Sequence, residues 1–201
     1  MQVKLLTRTG TIQDMVHFAA KAAQTTRGNA DKELFAADEE KLLRNIIKLN
    51  HGTILEHIYL TYSIKGISRA CLQELARHRH ITLSVESTRY TLKKYCLNEE
   101  WVEALADKLL PCKRDLLYYL VNLVKISDYS NDELKYYLPE FWPTNLIMSS
   151  NVRELRHILD LRTAPAALRE FRDLGHALFD AVPNEFKFLL EDCLHQETQN
   201  E

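Results

Sequence analysis

Residues 58–65, "IYLTYSIK", alternate with a period of two: Ile58, Leu60, Tyr62 and Ile64 fall on one side, and Tyr59, Thr61, Ser63 and Lys65 on the other. Successive side chains of a strand point to opposite faces, so this run predicts a strand with one buried face. Such a strand needs sheet partners, which excludes a purely helical fold. "QVKLLT" (2–7) and "TNLIMSS" (144–150) read as further strands. Elsewhere the apolar spacing is helical. "TIQDMVHFAAKAA" (11–23) reads as a helix with Thr11 as its N-cap. "TTRGNADKE" is a polar link, and "DEEKLLRNIIKLN" (38–50) is an amphipathic helix with acids at its start and Gly52 just beyond its end.

After Gly66, "SRACLQELARHR" (68–79) reads as a helix with Cys71, Leu72 and Leu75 on its apolar stripe. "EEWVEALADKLL" and "KRDLLYYLVNLVKI" are two helices with Pro111 between them, and "NDELKYYL" is a short helix stopped by Pro139. "VRELRHILDLR", "PAALREFRDLGHALFDAV" and "NEFKFLLEDCL" read as three terminal helices, the middle one with Pro165 near its first turn. Together these elements predict an α/β (α+β) fold: a single mixed domain over residues 1–201, with a small antiparallel-type sheet and many helices.

The net charge of −2 makes the whole protein no general trap for nucleic acid or membrane, so anion recognition must be local. The four cysteines are scattered without a CxxC pair, which predicts a reduced, cytoplasmic chain. No apolar run approaches membrane-spanning length, and the first ten residues do not read as a signal peptide. With only five glycines there is no phosphate-cradling loop, so a nucleotide site here has to be built from side chains.

The side chains that suit this task are concentrated in "RHRHITLSVESTRY" (77–90). On a continuing helix Glu74, Arg77 and His78 share a face. Arg79 falls on the stripe of Cys71, Leu72 and Leu75, pointing to the core side, where a guanidinium requires a carboxylate or phosphate partner. If "SVESTRY" is extended, Ser87 and Arg89 lie on one side as an oxyanion-recognition pair. A solvated basic helix end accounts for the same cluster without a ligand, and a nucleic-acid patch is a further alternative. Arg162 is a second oddity, because it sits where the stripe of Leu155, Ile158 and Leu159 calls for an apolar residue. It either snorkels to solvent or aims into a pocket. "HGTILEH" (51–57) has histidines at both ends, but its spacing is not that of HExxH, and a ligand-lining loop fits better than a metal site.

"RHR", seven residues, Ser87 and then "TRY" resembles the signature of the flavin-dependent thymidylate synthases. "HGTILEH", "KYYLP" and "NVRELRHILDLR" resemble that family's flanking segments in the same order, over roughly residues 40–190. The resemblance implies synthesis of dTMP from dUMP, with a methylene group from 5,10-methylenetetrahydrofolate, a hydride from reduced FAD, and NADPH as the reductant of the flavin. It implies homotetramers with sites at subunit interfaces, small-molecule substrates, and neither nucleic acid, membrane nor metal as partner. It assigns Thr53, Arg77, His78, Arg79, Val85, Asn151, Arg153 and His157 to FAD, with His51 near the flavin and folate entrance. It sets Glu74, Arg77, Glu86, Ser87, Arg89, Lys135 and Arg162 around dUMP. Arg162 is implied to polarise the uracil and favour ionisation at its N3.

Two bound phosphorylated ligands without a Gly-rich loop require guanidinium clamps, which this chain has. No His–Asp pair is evident to activate Ser87, so a substrate-positioning hydroxyl suits it better than a nucleophile. Three positions depart from the family's common pattern. Val85 stands where many members carry Glu or Gln, leaving only backbone contact. Ser84 stands where Asn or Gln is frequent, and Lys135 replaces an Arg, keeping charge but losing the bidentate fork. A flavin-dependent methylase or hydroxymethylase acting on UMP is an alternative that the sequence does not separate. A non-catalytic nucleic-acid-binding module using Arg77, Arg79 and Arg89 is another.

Overall fold

The computed structural model describes residues 1–10, 12–29, 31, 36–49 and 51–195. The proposed cap at Thr11, and Ala30, Lys32 and Glu33 of the polar link, lie outside the described residues. The element order is β1 (Gln2–Arg8), α1 (Ile12–Thr25), α2 (Ala36–Lys48), a 3-10 segment (Gly52–His57), β2 (Tyr59–Ser68), α3 (Arg69–Ala76) and β3 (Ile81–Val85). Then come α4 (Thr88–Cys96), α5 (Glu99–Ala106), α6 (Pro111–Ile126), α7 (Asn131–Leu134), a 3-10 turn (Lys135–Tyr137) and β4 (Pro143–Asn151). The chain continues through α8 (Val152–Thr163), α9 (Arg169–Asp180) and two 3-10 segments (Asn184–Leu189 and Glu191–Cys193).

The strands form one sheet in the order β1-β2-β4-β3, so the fold is the mixed helix-and-sheet class that the period-two run requires. β1 runs antiparallel to β2, pairing Val3 with Ile64 and Leu5 with Tyr62, with a register shift between Leu5 and Thr7. Ile58, Leu60, Tyr62 and Ile64 are at most 1% exposed. β2 continues past Gly66, whose φ of 73° is in the left-handed region that glycine tolerates.

Contacts along the chain group into two compact units. The first comprises residues 1–67, 71–84 and 145–201. Its core joins the inner face of β2 to Leu43 and Ile46 of α2, Leu155, Ile158 and Leu159 of α8, and Phe171, Leu174 and Leu178 of α9. The N–H of Val152 donates to the carbonyl of Ile58 at 2.8 Å, tying the start of α8 to the sheet. Gly175 lets α9 approach α8, because a Cβ there would lie 2.7 Å from Thr163 Cγ2.

The second unit, residues 68–70 and 85–144, has its own core of Leu92, Cys96, Val102, Leu117, Leu120, Leu134 and Trp142. Tyr95 stacks on Trp101 at 4.6 Å between ring centroids. Asn98 caps α5, and Ser130 with Glu133 forms a capping box on α7.

Several local expectations change. α3 stops at Ala76, three residues short of the expected end, and Arg79 is exposed rather than turned to the core. The chain turns through a Leu75–His78 backbone hydrogen bond of 3.1 Å, which sends His78 inward instead. "SVESTRY" is not extended throughout: Ser87 is the N-cap of α4 and Arg89 lies in its first turn. α4 has only Leu92 and Cys96 as buried side chains, too sparse a stripe to read as a helix from the sequence. Pro111 opens α6 rather than lying between helices, using the position where a missing N–H costs nothing. Pro165 precedes α9 by four residues, from the bounds of that helix. Residues 184–194 form two short 3-10 segments, not an α-helix.

Candidate active site

α8 carries the densest set of expected side chains. Asn151 caps it, accepting from the N–H of Glu154 at 2.8 Å. Glu154, Leu155, Ile158 and Leu159 are buried, and Arg162 extends that face at the helix end. Its side chain is only 14% exposed, so it does not snorkel to solvent.

Arg162 meets three protein acceptors. Its Nε donates to His78 Nε2 at 3.0 Å, Nη1 to Glu74 Oε2 at 2.8 Å, and Nη2 more weakly to the Glu74 carbonyl at 3.4 Å. The guanidinium carbon lies 5.0 Å from the centroid of Phe171, a cation–π distance. A guanidinium has five N–H donors, so two are left for a ligand among the described residues.

His78 is 6% exposed, and its Nδ1 lies 3.2 Å from Glu154 Oε1. Burial lowers its pKa below the usual 6.5 and the charge of Arg162 adds to this, outweighing the opposite pull of Glu154. Glu74 is shared between Arg162 and the exposed Arg77, which donates to both its oxygens at 3.3 and 3.4 Å. Burial works to raise the Glu74 pKa, but these hydrogen bonds and charges hold it below the ordinary carboxylate value.

Beside this cluster, a cavity of about 530 Å³ is lined by Glu56, His80, Asn151, Arg153, Glu154 and His157. A second, of about 410 Å³, has His51, Gly52, Arg153, Arg156, His157 and Asp160 in its wall. Arg153 is ion-paired to Glu56, and the two cavities share Arg153 and His157. Gly52 leaves room for Arg153, since a Cβ there would lie 3.0 Å from its Nε. Five residues expected at a flavin site therefore fall in or against one region: Asn151, Arg153 and His157 line the cavities, His51 lines the smaller one, and His78 is in ring contact with His157 at 5.7 Å. Thr53 is exposed on the 3-10 segment that bears His51 at its cap.

The second unit holds the rest apart from Arg79, which is exposed in the first. Ser87 is half-buried and its hydroxyl makes no capping bond, although a serine at an N-cap ordinarily accepts one. Arg89 makes a bidentate pair with Asp132. Glu86 faces Tyr95, whose hydroxyl pKa is raised by burial and by that hydrogen bond. Lys135 has its Nζ 5.7 Å from the Tyr136 ring centroid. Val85, the last residue of β3, is 39% exposed.

Sequence reasoning missed Glu154, His80, Arg156 and Phe171. Glu154 carried a usable signal: it precedes Arg162 by eight residues, on the same helical face, as a carboxylate among apolar residues. Arg156 grips Asp192 with both Nη atoms, at 2.6 and 2.7 Å, and pins the C-terminal 3-10 segment. Among the described residues, no helix is long and apolar enough to cross a membrane.

Residues 4–186 match the family described as thymidylate synthase complementing protein. The flavin-dependent thymidylate synthase of Campylobacter jejuni strain RM1221 is 40% identical over 182 residues, spanning 81% of this chain and 84% of its own. That of Helicobacter pylori strain 26695 is also 40% identical over 182 residues, spanning 83% and 84%. The crystal structure of thymidylate synthase X from H. pylori with FAD and dUMP superposes with a TM-score of 0.83 at 34% identity, covering 98% of this chain and all (100%) of that one. A UMP/dUMP methylase of Streptomyces cacaoi shares the fold, with a TM-score of 0.70 at 18% identity.

Proposed function

The chain belongs to the flavin-dependent thymidylate synthase family, and we propose that it converts dUMP to dTMP with 5,10-methylenetetrahydrofolate as carbon donor and NADPH as reductant. The observation that carries this reading is the setting of Arg162. It is a largely buried cation, held from three sides, with two donors left over.

The residues present fit FAD. A flavin dinucleotide needs cations for its phosphates and hydrogen-bonding groups along its length. The paired cavities supply Arg153 with Asn151, His157 and His51, and the glycine at position 52 keeps the Arg153 approach open. Arg77 and Arg79, both exposed, are the further cations assigned to it. When bound, the flavin supplies the hydride that reduces the transferred carbon to a methyl group.

The protein's own contribution is orientation and charge. Arg162 stabilises negative charge developing on the uracil, and a preorganised cation does this best where water is excluded. Charge on the ring raises electron density at C5, the carbon that must take up the methylene group. In the second unit Arg89 and Lys135 are the cations suited to the nucleotide's phosphate end, with Ser87 to position it. The spare hydroxyl of Ser87 supports a binding role. Glu74 orients Arg77 and Arg162 together.

The enzyme is proposed to act in the cytoplasm as a homotetramer with its sites at subunit interfaces. Exposed aromatic and aliphatic side chains support assembly, among them Tyr136 and Ile126 at 83% and Tyr90 at 80%. Anaerobic incubation of the purified protein with dUMP, methylenetetrahydrofolate, FAD and NADPH tests the reading. Formation of dTMP is expected; no product from dUMP overturns it, and preferential turnover of UMP transfers it to the ribonucleotide.

A further inference from the structure

We propose that His78 and Glu154 are positioning residues that act through Arg162, with Glu154 fixing the tautomer of His78 and His78 fixing the plane of the guanidinium. The proposal rests on the reading that Arg162 faces the pyrimidine of dUMP.

The chemistry of the three groups allows one arrangement. The Nε of an arginine carries a hydrogen and only donates. At 3.0 Å from Arg162 Nε, His78 Nε2 must therefore present a lone pair. A neutral imidazole has its one hydrogen on the other nitrogen, so Nδ1–H donates to Glu154 at 3.2 Å. Glu154 and Arg162 lie on one face of α8, two turns apart, and the imidazole spans between them from a different element. Glu74 then holds the outer edge of the guanidinium, and Phe171 lies against its face.

A neutral acceptor has a consequence that a carboxylate lacks. A carboxylate against Nε would orient the arginine but cancel its charge. An imidazole orients it without adding a second carboxylate to the one that Glu74 already sets against this cation. The same geometry revises the role of His78 within the Arg-His-Arg run. Both ring nitrogens are engaged inside the protein and the side chain is 4% exposed, so the ring has no polar group to offer the flavin.

Steady-state kinetics, single-turnover flavin reduction by NADPH, and FAD content are measured for His78→Phe, His78→Gln, Arg162→Lys and the His78→Phe/Arg162→Lys double variant. His78→Phe is expected to lower kcat by about 10- to 100-fold, the scale of one lost charge-assisted hydrogen bond in a transition state. FAD content, the rate of flavin reduction and KM for dUMP are expected to stay within about twofold of wild type, because the ring acts on neither ligand directly. His78→Gln, whose amide oxygen can accept from Arg162, is expected to recover part of the loss. In the Arg162→Lys background, His78→Phe is expected to cost little more, since residues acting through one another are not additive.

Wild-type kcat in His78→Phe overturns the proposal. So does a loss of activity that merely tracks loss of FAD, or a fully additive double variant. Should Phe at this position not fold, Glu154→Gln carries the test. Its amide no longer enforces the Nδ1–H tautomer, and kcat is expected to fall by about threefold or more with FAD still bound. Unchanged kcat overturns the proposal. A wild-type protein that makes no dTMP overturns the functional reading and this proposal with it, whereas an active wild type matched by its variants overturns the positioning role alone.

Discussion

Arg89 turns its guanidinium fork onto Asp132, with Nε to Oδ1 at 2.7 Å and Nη2 to Oδ2 at 2.9 Å. This fork suits a phosphate as well as a carboxylate. The aspartate occupies the donors that the nucleotide is proposed to use. The pair is well exposed, 61% and 49% at its two side chains, so the competition is weak. Asp132→Asn is therefore expected to tighten dUMP binding by about two- to fivefold, an exposed pair being worth roughly 0.2–1 kcal/mol. Equilibrium titration with dUMP at low and high salt checks this. The gain is expected to shrink as salt rises, and weaker binding in the variant would show that Asp132 positions Arg89 instead.

The same two residues show where sequence reading stops. Arg89 was readable from its segment as a candidate for an anion site, but its pairing with Asp132 joins positions 43 residues apart and no spacing rule reaches it. β2 was legible because strict alternation has one structural meaning, and α8 because Leu155, Ile158 and Leu159 recur at helical spacing. The end of α3 was not legible. A helical pattern gave no reason to stop at Ala76, and only the tertiary partners Glu154 and Arg162 explain why His78 rather than Arg79 goes inside. Helix α4 escaped because the side chains assigned to ligand binding occupy its first turn, diluting its apolar periodicity.

Close packing of α8 and α9 depends on Gly175. A Cβ at this buried position would come within 2.7 Å of Thr163 Cγ2, and Thr163 is itself fixed by its hydroxyl bond to the Leu159 carbonyl at 2.7 Å. The helices must separate or Thr163 must turn. Gly175→Ala is expected to destabilise the fold by about 1–3 kcal/mol, the usual cost of overpacking, even though alanine favours helix by up to about 1 kcal/mol over glycine. Urea denaturation measures the sum. A stabilised variant would show that the interface relaxes freely.

Burial of a neutral imidazole makes stability depend on pH. In the unfolded chain His78 takes up its proton near the ordinary 6.5; in the folded chain burial, Arg162 and His157 together lower that pKa despite Glu154. The unfolded state thus binds more protons than the folded one as pH falls below about 6.5. Stability is lost progressively from there down to the folded pKa, at up to about 1.4 kcal/mol per pH unit. Above 6.5 both states are neutral and the contribution is flat. His78→Phe is expected to lack this component, so the stability difference between variant and wild type shifts in favour of the variant between pH 6.5 and 5. Paired urea melts across that range read it directly, and parallel curves would mean that folded His78 titrates normally. Glu74, Glu133 and Asp192 have lowered pKa values, so their contributions are lost only in the acid range below this window.

Gly52 faces Arg153 across a gap that a methyl group would close. An added Cβ would lie 3.0 Å from Nε and 3.2 Å from Cδ, tighter than ordinary van der Waals contact. Arg153 is 54% exposed along its side chain, so it can swing aside at little cost to the fold, giving up its pairing with Glu56. The backbone at Gly52 has no positive φ to penalise alanine. Thermal stability in Gly52→Ala is therefore expected to change little, within about 0.5 kcal/mol. Flavin affinity is expected to fall by about tenfold, because the guanidinium proposed to hold the dinucleotide is displaced and a charge-assisted hydrogen bond is worth roughly 1.5 kcal/mol or more. Fluorescence titration of the apoprotein with FAD, beside a thermal melt without it, separates the two effects. Equal loss of stability and affinity would place the change in the fold, whereas unchanged affinity would remove Arg153 from the flavin site.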